Sequence, residues 1–163
     1  MTVYTNSHIL PVKAETIPEQ LKARPQWVVW KAVGQKPDKV PYSARDGLKA
    51  SSTDLMTWGT FEEALGAYES GGYAGVGFVF SSADPFTGID LDGCVNPTSG
   101  EVAVWAMEIV RYFDSYTELS ASGTGIHIIV KGEIPNRRKD EVEVYSFKRF
   151  FTVTGHVLEV GGD

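Results

Sequence analysis

Cysteine is all but absent from this chain: Cys94 is the single one among 163 residues, so no internal disulfide can form. The fold must hold by burial alone, and the lone thiol reads as a structural residue of a protein from a reducing compartment. Long apolar runs are missing too. No segment approaches the roughly 20 residues needed to cross a bilayer, and the opening MTVYTNSHILPVKAETIP lacks the basic start and apolar stretch of a signal peptide. The expected location is the cytoplasm, with no membrane partner. Positive charge is also short, since 15 Lys and Arg face 21 Asp and Glu for a net charge of −6. That argues against a general nucleic-acid-coating protein but leaves room for a local basic groove. Cys94, His127 and His156 make no close nitrogen and sulfur cluster, so zinc is not expected. Neither the GxSxG of serine hydrolases nor the GxxxxGK[ST] of P-loop proteins occurs.

What is present is enough for a core: 42% of residues are apolar and 12% aromatic, which fits one compact domain or two small subdomains sharing a site. QWVVWKAV (26–33) reads as a strand, with KVPYS as its hairpin partner after the turn GQKPD. TFEEALGAYES has helical spacing, with Phe61, Leu65 and Tyr68 on one stripe and Gly71 and Gly72 ending it. GVGFVF and FTGIDLD read as strands separated by the turn SSADP. The strongest helix signal is EVAVWAMEIVRYF (101–113), with Val104, Met107, Ile109 and Phe113 expected toward the core. YTELSAS, GIHIIVK and VEVYS follow as strands, and RFFTVTG and HVLEV close the chain. This order predicts an α+β fold with a mainly antiparallel sheet and helices on one face. An ending so soon after a strand suggests a catalytic module of a longer protein.

GIDLDGC (88–94) poses a chemical problem. Strand side chains alternate, so Asp90 and Asp92 share one face while Ile89 and Leu91 take the other. Two ionised carboxylates at the end of an apolar strand repel each other and call for a cation. A second pair, Glu141 and Glu143, shares a face with Tyr145, a pattern that a solvated edge strand explains equally well. Between the pairs lies SASGTGIHIIV, where Gly123 and Gly125 permit a tight turn and His127 falls opposite Ile126, Ile128 and Val130. Lys131, Arg137, Arg138, Lys139, Lys148 and Arg149 gather around Glu141 and Glu143, as they also would in a solvated hairpin of balanced charge. Oxygen-only ligation with a nearby His and Arg suits Mg²⁺ or Mn²⁺, ions that also bind phosphates. Two such ions can serve phosphoryl transfer, which asks little more of a protein than positioning and positive charge.

The run GIDLDG, then SGTGIHI, then VEVYSFKRFFTVTG, with KVPYS and MTWGTFEEAL upstream, resembles the primase-polymerase branch of the archaeo-eukaryotic primase superfamily, found in phage and plasmid replication proteins. The resemblance covers roughly residues 18–160, with 1–17 as an N-terminal extension and 18–163 as the catalytic domain. It implies Asp90, Asp92 and Glu143 as catalytic metal ligands, Glu143 being preferred to Glu141 by the residues that follow it. It further implies His127 on nucleotide phosphate, with Ser122 as a helper, Arg149 reaching the triphosphate and Tyr145 against the sugar. The implied fold is a small αβ subdomain plus an RRM-like antiparallel sheet, with the active site in the cleft between them. The implied activity is template-directed joining of NTPs or dNTPs, with two Mg²⁺ or Mn²⁺ ions, on single-stranded DNA template and primer; a helicase domain would follow in the full-length protein. Two other readings are a metal-dependent nuclease or replication initiator and a non-catalytic nucleotide- or DNA-binding module. Initiators commonly use a His-x-His pair, and the residue two after His127 is Ile129.

Overall fold

A computed structural model describes residues 9–34 and 38–159. Residues 1–8 of the N-terminal extension, Gln35 to Pro37 of the GQKPD turn and the closing 160–163 lie outside the described residues.

The fold is α+β, built on two antiparallel sheets. In the first, β1 (Trp27–Val33) forms the expected hairpin with β2 (Asp38–Tyr42), placing Val29 opposite Tyr42. β3 (Gly75–Phe80) pairs with β1, and the last strand, β9 (Arg149–Val153), returns to pair with β3. A short helix, α1 (Glu19–Lys22), precedes this sheet and buries Leu21. α2 (Phe61–Glu69) starts at a capping box in which the Thr60 hydroxyl accepts from the Glu63 amide and the Glu63 carboxylate accepts from the Thr60 amide. It buries Phe61 edge-on against Trp27, ring centroids 4.8 Å apart.

The second sheet runs β5 (Tyr116–Leu119), β6 (Ile126–Lys131), β4 (Phe86–Leu91), β8 (Val142–Tyr145), β7 (Arg137–Lys139) in spatial order. α3 (Val104–Phe113) covers one face, packing Ala106 and Val110 on Ile89, Leu91, Ile126 and Ile128. The expected helix stripe holds only in part: Ile109 and Phe113 pack against this cluster, but Val104 does not. Val104 is 75% exposed, and Ala106 and Val110 are the buried pair, because small side chains let the helix approach the sheet closely.

Adjacent in sequence, β3 and β4 nevertheless enter different sheets. The SSADP turn between them is pinned by Asp84, whose carboxylate accepts from the amides of Ser81 and Phe86 and from the Gln26 side chain. Phe78, Phe80, Phe86, Ile129 and Phe151 fill the space where the sheets meet. Gly88 makes that contact possible, since a Cβ there would fall 2.6 Å from the Phe80 ring and closer still to that of Phe151. Ile17, counted in the extension, is buried in the same core, and the Lys13 amide donates to the Thr154 carbonyl at 2.8 Å. HVLEV forms no strand over its described residues, contributing an isolated bridge from Val157 to Glu118.

Candidate active site

The second sheet lines up five polar residues on the face away from α3. Cross-strand register puts Glu118 opposite His127, His127 opposite Asp90, Asp90 opposite Glu143, and Glu143 opposite Arg138. Each step crosses one strand gap, where directly opposed side chains lie roughly 5 Å apart. The row alternates in charge except at its centre, where Asp90 and Glu143 meet as like charges with their side chains 27% and 26% exposed. At one end Arg138 Nε lies 3.7 Å from Glu143 Oε1, on a side chain that is mostly solvated. Its screening of Glu143 is correspondingly slight.

His127 joins the row to the core. Its Nε2 lies 3.4 Å from Asp90 Oδ1 and its Nδ1 3.4 Å from Glu118 Oε2. The imidazole stacks on Phe151 of β9 at 4.4 Å between centroids, with planes 16° apart. The expectation that His127 points away from the core is corrected in one respect: it faces away from α3 but into the junction of the two sheets, and is buried. Burial works against its charged form, but the hydrogen bonds and charges of Asp90 and Glu118 outweigh that and hold its pKa up at about 9.

Tyr145 extends the site toward the first sheet. Its hydroxyl donates to Glu143 Oε2, and its ring meets Phe151 edge-on at 5.2 Å. Burial, then the bond to Glu143 and the charge of Asp90, push the phenol well above its ordinary range, so it stays a donor. Arg149 lies over the outer side of the same ring, its guanidinium carbon 5.5 Å from the centroid. Arg149, Tyr145, Phe151 and His127 thus form one continuous contact chain between the sheets.

The remaining expected residues stand at the site's edge. Asp92 follows β4 directly, is exposed, and is held through its amide by the Glu141 carbonyl at 2.8 Å. Burial, together with the charges of Asp90 and Asp92, pushes the Cys94 thiol up to about 11, which fits a buried structural cysteine. Ser122 lies in the β5–β6 turn, bonded to Thr124 Oγ1 at 2.7 Å and to Ser120 Oγ at 3.3 Å. Its hydrogen bonds therefore run within the turn. Glu141 lies just outside β8, whereas Glu143 is the acid in register with Asp90.

Among the described residues, no group of three or more His, Cys, Asp and Glu side chains converges as a ready cation cage. The donor chemistry of Asp90, Asp92 and Glu143 nevertheless fits a hard divalent ion: all are carboxylates, and the central two face each other with only His127 and the mostly solvated Arg138 beside them as cations. Two participants escaped the sequence reading. Phe151 could not be foreseen, because it arrives from the other sheet. Glu118 left a trace, standing about as far before the Gly123 turn as His127 stands after it, which is the arithmetic of a hairpin.

Fold and site together define the class: a two-sheet α+β domain with facing carboxylates and a buried histidine on the inner face of one sheet. No protein-family profile matches the chain. It is 38% identical over 142 residues to the DNA primase-polymerase of Nitratiruptor phage NrS-1, a match that takes in 82% of this chain and 20% of that protein's length. The chain thus carries a primase-polymerase-type domain, and the resemblance seen in GIDLDG, SGTGIHI and VEVYSFKRFFTVTG is borne out. Among the described residues, no helix is long and apolar enough to cross a membrane.

Proposed function

We propose that this domain is a DNA-directed nucleotidyltransferase that joins NTPs or dNTPs on a single-stranded DNA template. The observation that carries this reading is the Asp90–Glu143 pair, two carboxylates in direct register and flanked by His127. Like charges directly opposed on a sheet are destabilising, so a bound cation would favour this arrangement beyond what His127 and Arg138 supply. Asp90, Asp92 and Glu143 would hold Mg²⁺ or Mn²⁺, two ions being the arrangement suited to the reaction. When bound, such ions neutralise a triphosphate and favour attack by a primer hydroxyl.

The protein's own residues orient the nucleotide. A cleft beside the row is lined by Pro41, Ser51, Ser52, Tyr145, Lys148 and Arg149. Its cations and hydroxyls suit a polyphosphate, with Arg149 reaching the outer phosphates and His127 turned toward the phosphate nearest the carboxylates. Tyr145, kept a donor by Glu143, would lie against the sugar, and Ser122 would assist from the turn. The active site would then occupy the cleft between the sheets. A replication initiator of the His-x-His type is disfavoured because Ile129, two residues beyond His127, is buried among the inter-sheet aromatics. The 20% coverage of the phage relative leaves room for further domains, a helicase among them, in a longer protein.

The decisive experiment supplies single-stranded template, labelled nucleotides and Mg²⁺ or Mn²⁺, with and without an annealed primer. Wild type should extend or prime, and Asp90→Ala and Asp92→Ala should each lose incorporation. Wild-type incorporation by Asp92→Ala would remove it from the metal set. Binding of nucleotide and DNA without incorporation under any condition would favour a non-catalytic module.

A further inference from the structure

Glu118 is a carboxylate with no solvent exposure, in a strand otherwise built of Tyr, Thr and Leu. A charge so placed must be fully satisfied. Both its oxygens accept from the Thr154 amide, at 3.0 and 3.2 Å, and Oε1 also accepts from the Gly155 amide at 3.0 Å and from the Tyr116 hydroxyl at 2.6 Å. Oε2 faces His127 Nδ1. Burial, then the charge and hydrogen bond of Glu118, hold the Tyr116 phenol far above its ordinary range, fixing it as a donor.

Two surfaces therefore constrain one ring. Stacking on Phe151 sets the plane of the imidazole but leaves open a half-turn that exchanges ring carbons with ring nitrogens. Glu118 and Asp90 together close that option, because only one of the two orientations turns Nδ1 toward Glu118 and Nε2 toward Asp90. A neutral acceptor would serve equally well for the Thr154 and Gly155 amides; a carboxylate with an oxygen turned to Nδ1 does more than pin backbone.

Resting on the function proposed above, we propose that Glu118 is a positioning residue for His127, holding a proton on Nδ1 and aiming Nε2 at the Asp90–Glu143 face where nucleotide phosphate would lie. Its bonds to Thr154 and Gly155, just beyond β9, tie that aim to the first sheet, which carries Phe151 and Arg149. The nucleotide-facing histidine is thus set by both sheets at once.

Two measurements test this. The first needs neither metal nor turnover: long-range ¹H–¹⁵N spectra of the labelled protein, with the His127 ring assigned by its loss in His127→Ala. Wild type should carry a proton on Nδ1 throughout the pH range in which it stays folded, and a ring protonated on Nε2 alone anywhere in that range would overturn the proposal without any substitution. The second is a double-mutant cycle on nucleotide KM and kcat. Glu118→Gln should raise nucleotide KM about tenfold with primer-template affinity unchanged, and Glu118→Gln combined with His127→Ala should be no worse than His127→Ala alone. Additive losses would mean that Glu118 acts elsewhere in the fold and would sink the proposal. Should the chain prove not to polymerise, the functional reading fails while the ring spectrum still decides the role of Glu118.

Discussion

At the scale of single residues, the centre of the site is a like-charge pair that His127 beside Asp90 and Arg138 beside Glu143 only partly offset. Asp90 and Glu143 oppose each other on adjacent strands, with Arg138 mostly in solvent and Tyr145 donating a neutral hydrogen bond to Glu143. Glu143→Gln removes the repulsion and keeps the hydrogen-bonding shape. Without metal it should leave stability unchanged or raise it, by up to about 1 kcal/mol. It should also abolish the rise in melting temperature expected of the wild type with Mg²⁺ or Mn²⁺. Thermal melts with and without each ion measure both effects, and a metal response equal to wild type would take Glu143 out of the site. Arg149 offers a cleaner test than His127, because it is exposed while His127 is core. Arg149→Ala should weaken nucleotide binding about tenfold or more and template binding much less, as direct titration of each ligand would reveal. Equal loss of both would place Arg149 on the nucleic acid instead. How far these residues could be read depends on where their partners come from. Alternation within one strand predicts a shared face for Asp90 and Asp92, but β4 ends at Leu91 and leaves Asp92 exposed just beyond it. The pairing of Asp90 with Glu143 and His127, and the stacking of His127 on Phe151, need strand order, which no local pattern encodes.

At the scale of elements, legibility follows locality. The β1–β2 hairpin and α2 are readable because a turn, a helical period and a terminating glycine pair each lie within a few residues, whereas the capping box that starts α2 is seen only in the structure. α3 was readable as a helix but not in its rotation, since the sequence ranks Val104 above Ala106 for burial while close packing ranks them the other way. The partition of β3 and β4 between sheets depends on Asp84 meeting Gln26, a contact 58 residues apart. The cap on α2 carries its own prediction. Thr60→Ala should cost about 1 kcal/mol of unfolding free energy by denaturant titration. Glu63 contributes with a definite pH dependence. Its hydrogen bond from Arg45, followed by that from the Thr60 amide, depresses its pKa from 4.5 to about 2. A carboxylate depressed on folding adds stability that is complete above the unfolded value and lost as pH falls through the folded one. The gap between wild type and Glu63→Gln should therefore be present at pH 7, shrink below about pH 4.5 and vanish only as pH falls through about 2. A gap that persists unchanged down to pH 2 would show that shape, not charge, makes the cap.

At the scale of the whole molecule, the distribution of charge decides how DNA can be held. The net charge is −6, and the carboxylate row adds local negative potential where a primer terminus and triphosphate would have to meet. Against this stand Arg137, Arg138 and Lys139, all exposed along the edge strand β7, with Lys148 and Arg149 at the mouth of the cleft. Such a modest cluster can neutralise three or four phosphates. For single-stranded DNA each contact contributes about −0.7 to the slope of log affinity against log salt, so a slope near −2 to −3 is expected and affinity at physiological salt should be weak. Divalent metal and nucleotide bound at Asp90, Asp92 and Glu143 would cancel the acidic potential, so each should strengthen binding of primer-template, and primer-template should strengthen binding of each in equal measure. Titration of labelled single-stranded DNA and primer-template over a salt series, with and without Mg²⁺ and nucleotide, reads the slope and the coupling together. Tight binding with a steep slope and no response to metal would mean that the basic edge works independently of the carboxylate row, as a dedicated DNA-binding surface.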